Sequence, residues 1–283
     1  GRIASSFFYW HAVCRLFHLI LSENIMRISL IGAGRVAHHL AHVLNAQHQI
    51  VQIYSRSLDK AQHLAAQIGA EAIAEVEQLH SDLDLLIIAV SDQAIAQVIQ
   101  EIHHDLNHVL IVHTSGSTKL DVLQQHHARS GVFYPLQTFS LEREIDWSET
   151  PLFIEAAFAE DQQLLMTLAN SLSKKVYAYT SEQRLSLHLA AVFACNFSNY
   201  CYDMAKQVVD AQQVDFSLLY PLMMETAHKA TQNDPRQMQT GPAMRGDRNI
   251  LKMHQDLLAA GQQHALAEVY TLMSQQILER HQS

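Results

Sequence analysis

The run Ile28-Ser-Leu-Ile-Gly32-Ala-Gly34-Arg-Val-Ala37 constrains the chain most, because it places a G-x-G-x-x-A turn between an apolar β-like segment and a helical one. Gly32 permits the tight turn and Gly34 lets backbone approach a pyrophosphate. The small Ala37 allows close helix-to-strand packing, while the helix start at Arg35 and Val36 offers N–H donors to an anion. The chain holds only 9 glycines, so two of them falling in this context point to a dinucleotide-binding βαβ unit.

The pattern that follows is that of a parallel sheet covered by helices. Strands are predicted over 28–31, 50–54, 71–74, 83–90, 109–113, 131–134 and 151–155, with helices over 36–45, 58–68, 93–102 and 119–128. The sheet is expected to end near Val176. From Ser181 onward the pattern is helical throughout, punctuated at Pro221, Pro235 and Gly241-Pro242. The fold class is therefore α/β: an N-terminal NAD(P)-binding Rossmann domain over 26–180 and an all-helical domain for substrate binding or dimerisation over 181–283.

Residues 1–25 are set apart as a leader or upstream extension. Phe7 to Leu21 is apolar, but Arg15 in its middle disfavours insertion and export, and Met26 stands immediately before the first strand. No other run is long enough to span a bilayer, and the expected location is the cytoplasm. With 28 Asp plus Glu against 19 Lys plus Arg, the net charge of -9 repels polyanions and argues against nucleic acid as a partner. Cys14, Cys195 and Cys201 form no CxxC and read as thiols. His38, His39 and His42 lack a nearby carboxylate or cysteine, so no metal site is expected.

An NAD site places Asp or Glu about 20 residues beyond the glycine turn. Here the second strand ends Tyr54-Ser55-Arg56-Ser57, and a guanidinium flanked by hydroxyls suits a 2′-phosphate. The expected cofactor is NADP(H), held by Gly32, Gly34, Arg35, Val36, Ala37, Ser55, Arg56 and Ser57; the bland alternative is an arginine on a solvated loop. Loops at the carboxyl ends of later strands should border the same crevice. They contribute Val90, Ser91 and Thr114 to the cofactor, although Ser91 or Asp92 could simply cap the next helix. In His113-Thr114-Ser115-Gly116-Ser117, Ser115 and Gly116 are candidates to meet substrate, against an ordinary turn.

In the helical part, His188 and Asn199 share a face on regular α-helical spacing, with Asn196 nearby. His188 is the candidate for proton transfer and Asn196, Asn199 and Ser115 for orienting substrate, against a structural histidine. Glu225 and Lys229 read as a surface ion pair. The loop Gln239-Thr-Gly-Pro-Ala-Met-Arg245-Gly-Asp247 offers Arg245 to an anionic substituent, and Asp247 could cap the last helices.

Taken together, Gly32 to Ala37, His113 to Ser117, Val132 to Phe139, Leu187 to Asn196 and Gln239 to Asp247 resemble the bacterial Rossmann-like proteins with a helical C-terminal domain of unknown function. The resemblance runs from about Met26 almost to the C-terminus. Its architecture is similar to pyrroline-5-carboxylate reductase, deazaflavin-dependent NADP reductase and the 6-phosphogluconate dehydrogenase group, which implies an oxidoreductase whose helical domain commonly dimerises. The catalytic Lys and Asn pair of the last group has no clear counterpart here. The expectation is an NADP(H)-dependent oxidoreductase that moves hydride to or from a small carbonyl, imine or alcohol. The alternative is a non-catalytic NADP(H)-binding sensor or interaction protein. A homodimer would form through apolar stripes in 185–209 and 218–230, which could equally pack within one subunit.

Overall fold

A computed structural model describes residues 25–102 and 104–282, and most of the 1–25 leader segment lies outside them. Two compact units divide at Val192 and Phe193, later than the Thr180 boundary read from sequence. Thr180 instead starts a helix, as the hydroxyl of a capping box with Gln183.

The first unit is built on eight strands: β1 (Arg27–Ile31), β2 (Gln49–Tyr54), β3 (Glu71–Ile73), β4 (Leu85–Ile88), β5 (Leu110–His113), β6 (Ser130–Pro135), β7 (Leu152–Ala156) and β8 (Val176–Ala178). Their order is β3-β2-β1-β4-β5-β6-β7-β8. Helices α1 (Arg35–Asn45), α2 (Leu58–Ile68), α3 (Asp92–Glu101), α4 (Asp121–Gln124), α5 (Ala159–Leu172) and α6 (Ser181–Ala191) complete it. Alternate residues of one strand serve two cores. Leu85 and Ile87 pack with α1, α2 and α5, whereas Leu86 and Ile88 pack with α3 and α4. Burial on both faces explains why β4 reads as an unbroken apolar run rather than an alternating one. Each such Leu or Ile contributes about 1.5–3 kcal/mol.

Three departures from the sequence reading have local causes. The helix expected over 119–128 shrinks to α4, because His127 turns inward and its Nε2 meets the Val109 carbonyl at 2.7 Å. The sheet is not wholly parallel: β7 runs antiparallel to β6, pairing Phe133 with Ile154. No α-helix connects the two strands, and an antiparallel return needs none. Finally, α5 and β8 extend the α/β part, with Leu165, Leu168, Ala169 and Leu172 buried on one face of α5.

The second unit is helical, as expected: α7 (Ser198–Asp210), α8 (Tyr220–Gln232), α9 (Pro242–Arg245), α10 (Arg248–Ala260) and α11 (His264–Gln282). Pro221 opens α8, where its missing N–H costs nothing. Asp247 caps α10 by accepting from the Ile250 N–H, and Glu225 pairs with Lys229 at 3.0 Å on the surface. Only Ala243 and Leu258 are buried among this unit's described residues.

Candidate functional site

At the carboxyl ends of β1, β2, β4 and β5 the first unit opens a cleft of about 870 Å³, ample for a dinucleotide-sized ligand. Its floor is the glycine turn. Gly32 adopts φ +120°, and an added Cβ would fall on the Ala89 carbonyl oxygen, so both its conformation and its surroundings demand glycine. A Cβ on Gly34 would meet no protein atom within 4 Å. Gly34 therefore leaves room for a ligand rather than for a neighbouring element. It also caps α1, whose start has no side-chain cap and no acidic residue in the first turn, so the positive end of the helix faces the cleft unneutralised.

Arg35, Val36, Ser55 and Arg56 line the cleft as expected. Ala37 does not: it is fully buried against the sheet, where its small size serves packing. Ser57 is likewise not among the lining residues. Its N–H donates to Ser55 Oγ at 3.2 Å and so shapes the loop carrying Arg56. Lys60, which sequence reading missed, joins Arg56 at this rim. The available signal was its place in the first turn of α2, directly after the loop at the carboxyl end of β2. Neither cation, nor Arg35, forms an ion pair with any carboxylate of the described residues. Glu101 lines the same cleft, so this end carries both signs of charge, with Arg56 and Lys60 not bonded to any described carboxylate.

Val90, Ser91, Thr114, Ser115 and Gly116 line the other end. Ser91 occupies the N-cap position of α3 but makes no capping bond, so its hydroxyl remains free toward the cleft. Asp92 also lines the cleft and accepts from Ser117 Oγ. Ser115 Oγ accepts the N–H groups of Ser117 at 3.1 Å and Thr118 at 2.9 Å. Its first task is thus to shape the loop. His113 beneath it is fully buried, and its Nδ1 accepts the Ser115 N–H at 3.1 Å. Burial, reinforced by the Arg184 guanidinium, pushes His113 down to about 3, so it is neutral at physiological pH.

His188, from α6, lines the same end, with its Nδ1 3.2 Å from the hydroxyl of Tyr134 on β6. Tyr134 was not singled out from sequence, although its place near the carboxyl end of a strand bordering the crevice was the available signal. Burial, with a smaller contribution from Asp92, pushes its phenol up to about 12. The pair meets because position 116 is glycine: a Cβ there would stand 2.6 Å from His188 Nδ1 and 2.8 Å from Tyr134 Oη.

The placement of α6 rests on Arg184, also missed, one turn before His188 on the same helical face. Arg184 is 1% exposed; it donates to Glu155 of β7 and to the Thr118 carbonyl. Ser181 adds an Oγ bond to Glu155 at 2.8 Å and accepts the Leu120 N–H at 3.0 Å. This network joins α6 to the sheet and to the loop after β5.

Three other candidates belong to the second unit. Asn196 lies in a π-helical segment over Val192–Phe197, Asn199 in the first turn of α7, and Arg245 at the end of α9; all three are exposed. The π-helical segment interrupts the regular spacing on which His188 and Asn199 had been placed on one face. Among the described residues no group of His, Cys, Asp and Glu could hold a metal, and no helix is long and apolar enough to cross a membrane.

A doubly wound sheet with a glycine turn and an uncapped helix start at the carboxyl edge of its strands defines a Rossmann dinucleotide-binding protein. Comparison narrows this class. Residues 27–116 match the model of the coenzyme F420-dependent NADP oxidoreductases, and residues 150–277 match a domain of unknown function, DUF2520. A candidate NADP oxidoreductase from Bacteroides fragilis is 41% identical, covers 90% of this chain and 98% of its own, and superposes with a TM-score of 0.84. The chain belongs to this family of NADP oxidoreductase-type Rossmann proteins with a DUF2520 C-terminal part, and the cofactor of the family is NADP(H). Two more distant structures share the fold. An imine reductase from Myxococcus stipitatus, in complex with NADP+, is 15% identical, with 91% and 100% of the two chains covered and a TM-score of 0.65. A reductive aminase from Aspergillus terreus, in complex with NADPH and ethyl-5-oxohexanoate, is 16% identical, with 91% and 93% covered and a TM-score of 0.65. No curated protein matches the sequence.

Proposed function

We propose that this protein uses NADP(H) to reduce, or in reverse oxidise, a small carbonyl, imine or alcohol substrate at the Tyr134 and His188 end of the cleft. The observation that carries the reading is the pair Arg56 and Lys60, neither of them ion-paired to a carboxylate of the described residues, beside a glycine turn with space above Gly34. Gly32, Gly34 and the first N–H groups of α1 would hold the pyrophosphate, and Arg56, Lys60 and Ser55 the 2′-phosphate. The bound cofactor supplies or accepts the hydride. His188 exchanges the proton with the substrate heteroatom, while Ser91, Thr114 and Gly116 border the reacting groups. The fold neighbours described as imine reductase and reductive aminase favour a C=N or C=O bond as the group reduced. From their positions in sequence, Asn196 and Asn199 are assigned to substrate orientation and Arg245 to an anionic substituent.

Calorimetric titration with NADPH and NADH tests the reading. Wild type is expected to prefer NADPH. Arg56→Ala should weaken NADPH roughly tenfold or more while leaving NADH unchanged, the signature of losing a charge-assisted phosphate contact. Binding of neither dinucleotide overturns the reading. Intact NADPH binding, without NADPH oxidation across a panel of ketones, aldehydes and cyclic imines, would leave a binding protein in place of an enzyme.

A further inference from the structure

Within the proposed reaction, the contact between Tyr134 and His188 assigns a distinct task to each ring nitrogen. Tyr134 Oη stands 3.2 Å from His188 Nδ1, and both side chains line the cleft. Tyr134 is itself held by packing, since its ring lies edge-on to His188 and close to Phe153. Gly116 makes the approach possible by leaving no Cβ between them. With Nδ1 engaged inside the protein, Nε2 is the nitrogen left to exchange a proton.

A neutral imidazole with its proton on Nε2 is a poor acid, because losing that proton would produce an imidazolate. An imidazolium that keeps Nδ1–H and releases Nε2–H ends as an ordinary neutral ring. The phenol oxygen can accept a hydrogen bond as well as donate one, so it can hold Nδ1–H in both the charged and the neutral ring.

We propose that Tyr134 is a positioning residue that accepts the His188 Nδ1–H, fixing the histidine as a proton donor and acceptor through Nε2. The inference rests on the oxidoreductase reading. In the reducing direction, a C–H bond would form with the hydride that bound NADPH gives up on becoming NADP+, and the C=X π pair moves onto the heteroatom. That heteroatom takes the Nε2 proton as the N–H bond breaks with its electron pair left on Nε2. Nδ1–H stays on Tyr134 throughout, and Nε2 regains a proton from solvent. The charged and titratable groups around the pair are Asp92 at the start of α3, Arg184 on α6 and His113 on β5. Arg184 is already committed to Glu155, and His113 is neutral, so neither supplies the proton.

The test reads the tautomer of neutral His188 by long-range proton–nitrogen NMR of the full-length protein, the ring being assigned by its loss in His188→Gln. Wild type is expected to show the Nδ1–H form, the minor tautomer of free histidine. Tyr134→Phe, which keeps the ring and its packing, should return His188 to mainly Nε2–H. Gly116→Ala should have the same effect by forcing the pair apart. An Nε2–H form in wild type, or a tautomer unchanged in Tyr134→Phe, overturns the proposal. NADPH titration of the wild-type sample separates the two claims. Failure of wild type to bind would sink the cofactor reading without touching the tautomer result. Where a substrate is found, Tyr134→Phe should lower kcat at least tenfold with little change in KM and alter the pH–rate profile, effects that a packing role alone would not produce.

Discussion

Gly32 and Gly34 are two residues apart and are glycine for different reasons. At Gly32 the backbone sits at φ +120° and the Ala89 carbonyl occupies the place of a side chain, so Gly32→Ala must both strain the turn and displace the backbone just after β4. A loss of about 1–3 kcal/mol from backbone strain alone is expected in urea unfolding, along with loss of NADPH binding in calorimetry. At Gly34 the space is open, and a side chain there would oppose only a ligand. His113 provides a pH signature at the same scale. Its folded-state value is pushed down to about 3, below the 6.5 of the unfolded chain, so between these values the unfolded state binds more protons. The contribution is complete above pH 6.5 and is lost as pH falls toward 3, at up to ~1.4 kcal/mol per pH unit. Urea unfolding of wild type at pH 7 and 5 should show this slope, and His113→Asn should flatten it. His127, also lowered by burial, adds a smaller slope of the same sign that the comparison cancels.

Among the elements, α6 best shows what periodicity conveys and what it omits. Its capping residue, Thr180, and its helical character follow from local sequence. Its membership of the first unit does not, because that depends on Arg184 finding Glu155 on β7, a strand distant in sequence. Arg184→Ala would leave a mostly buried Glu155 carboxylate without its partner. Breaking such a pair from one side costs about 3–5 kcal/mol. The expected outcome is that loss in chemical unfolding, with faster amide exchange across α6 and little change in the far cofactor rim. Unchanged exchange in α6 would show that packing alone holds it. The strands were more legible, since two-sided burial produces unbroken apolar runs such as Leu85 to Ile88. The α4 region was less so, because the inward turn of His127 depends on the Val109 carbonyl of a neighbouring segment.

At the scale of the whole molecule the two units contrast in how they bury apolar surface. The first has packed cores on both faces of its sheet. The second buries only Ala243 and Leu258 among its described residues, while Leu218, Leu222 and Met224 are 70%, 63% and 72% exposed. Exposed apolar side chains of this kind are what self-association would cover. A homodimer formed through these helices is the expected state in light scattering. Leu222→Lys combined with Met224→Lys should produce a monomer while leaving NADPH binding by the first unit intact. A monomeric wild type would refute the expectation. The sequence by itself determined the Rossmann sheet, the glycine turn and the helical second part, because each is encoded over a few neighbouring residues. Only the tertiary structure decided that Lys60 joins Arg56, that Tyr134 meets His188 across Gly116, and that Arg184 is buried on Glu155. Those pairings depend on segments brought together by burial of the core, and no local pattern in the chain records which partners they will find.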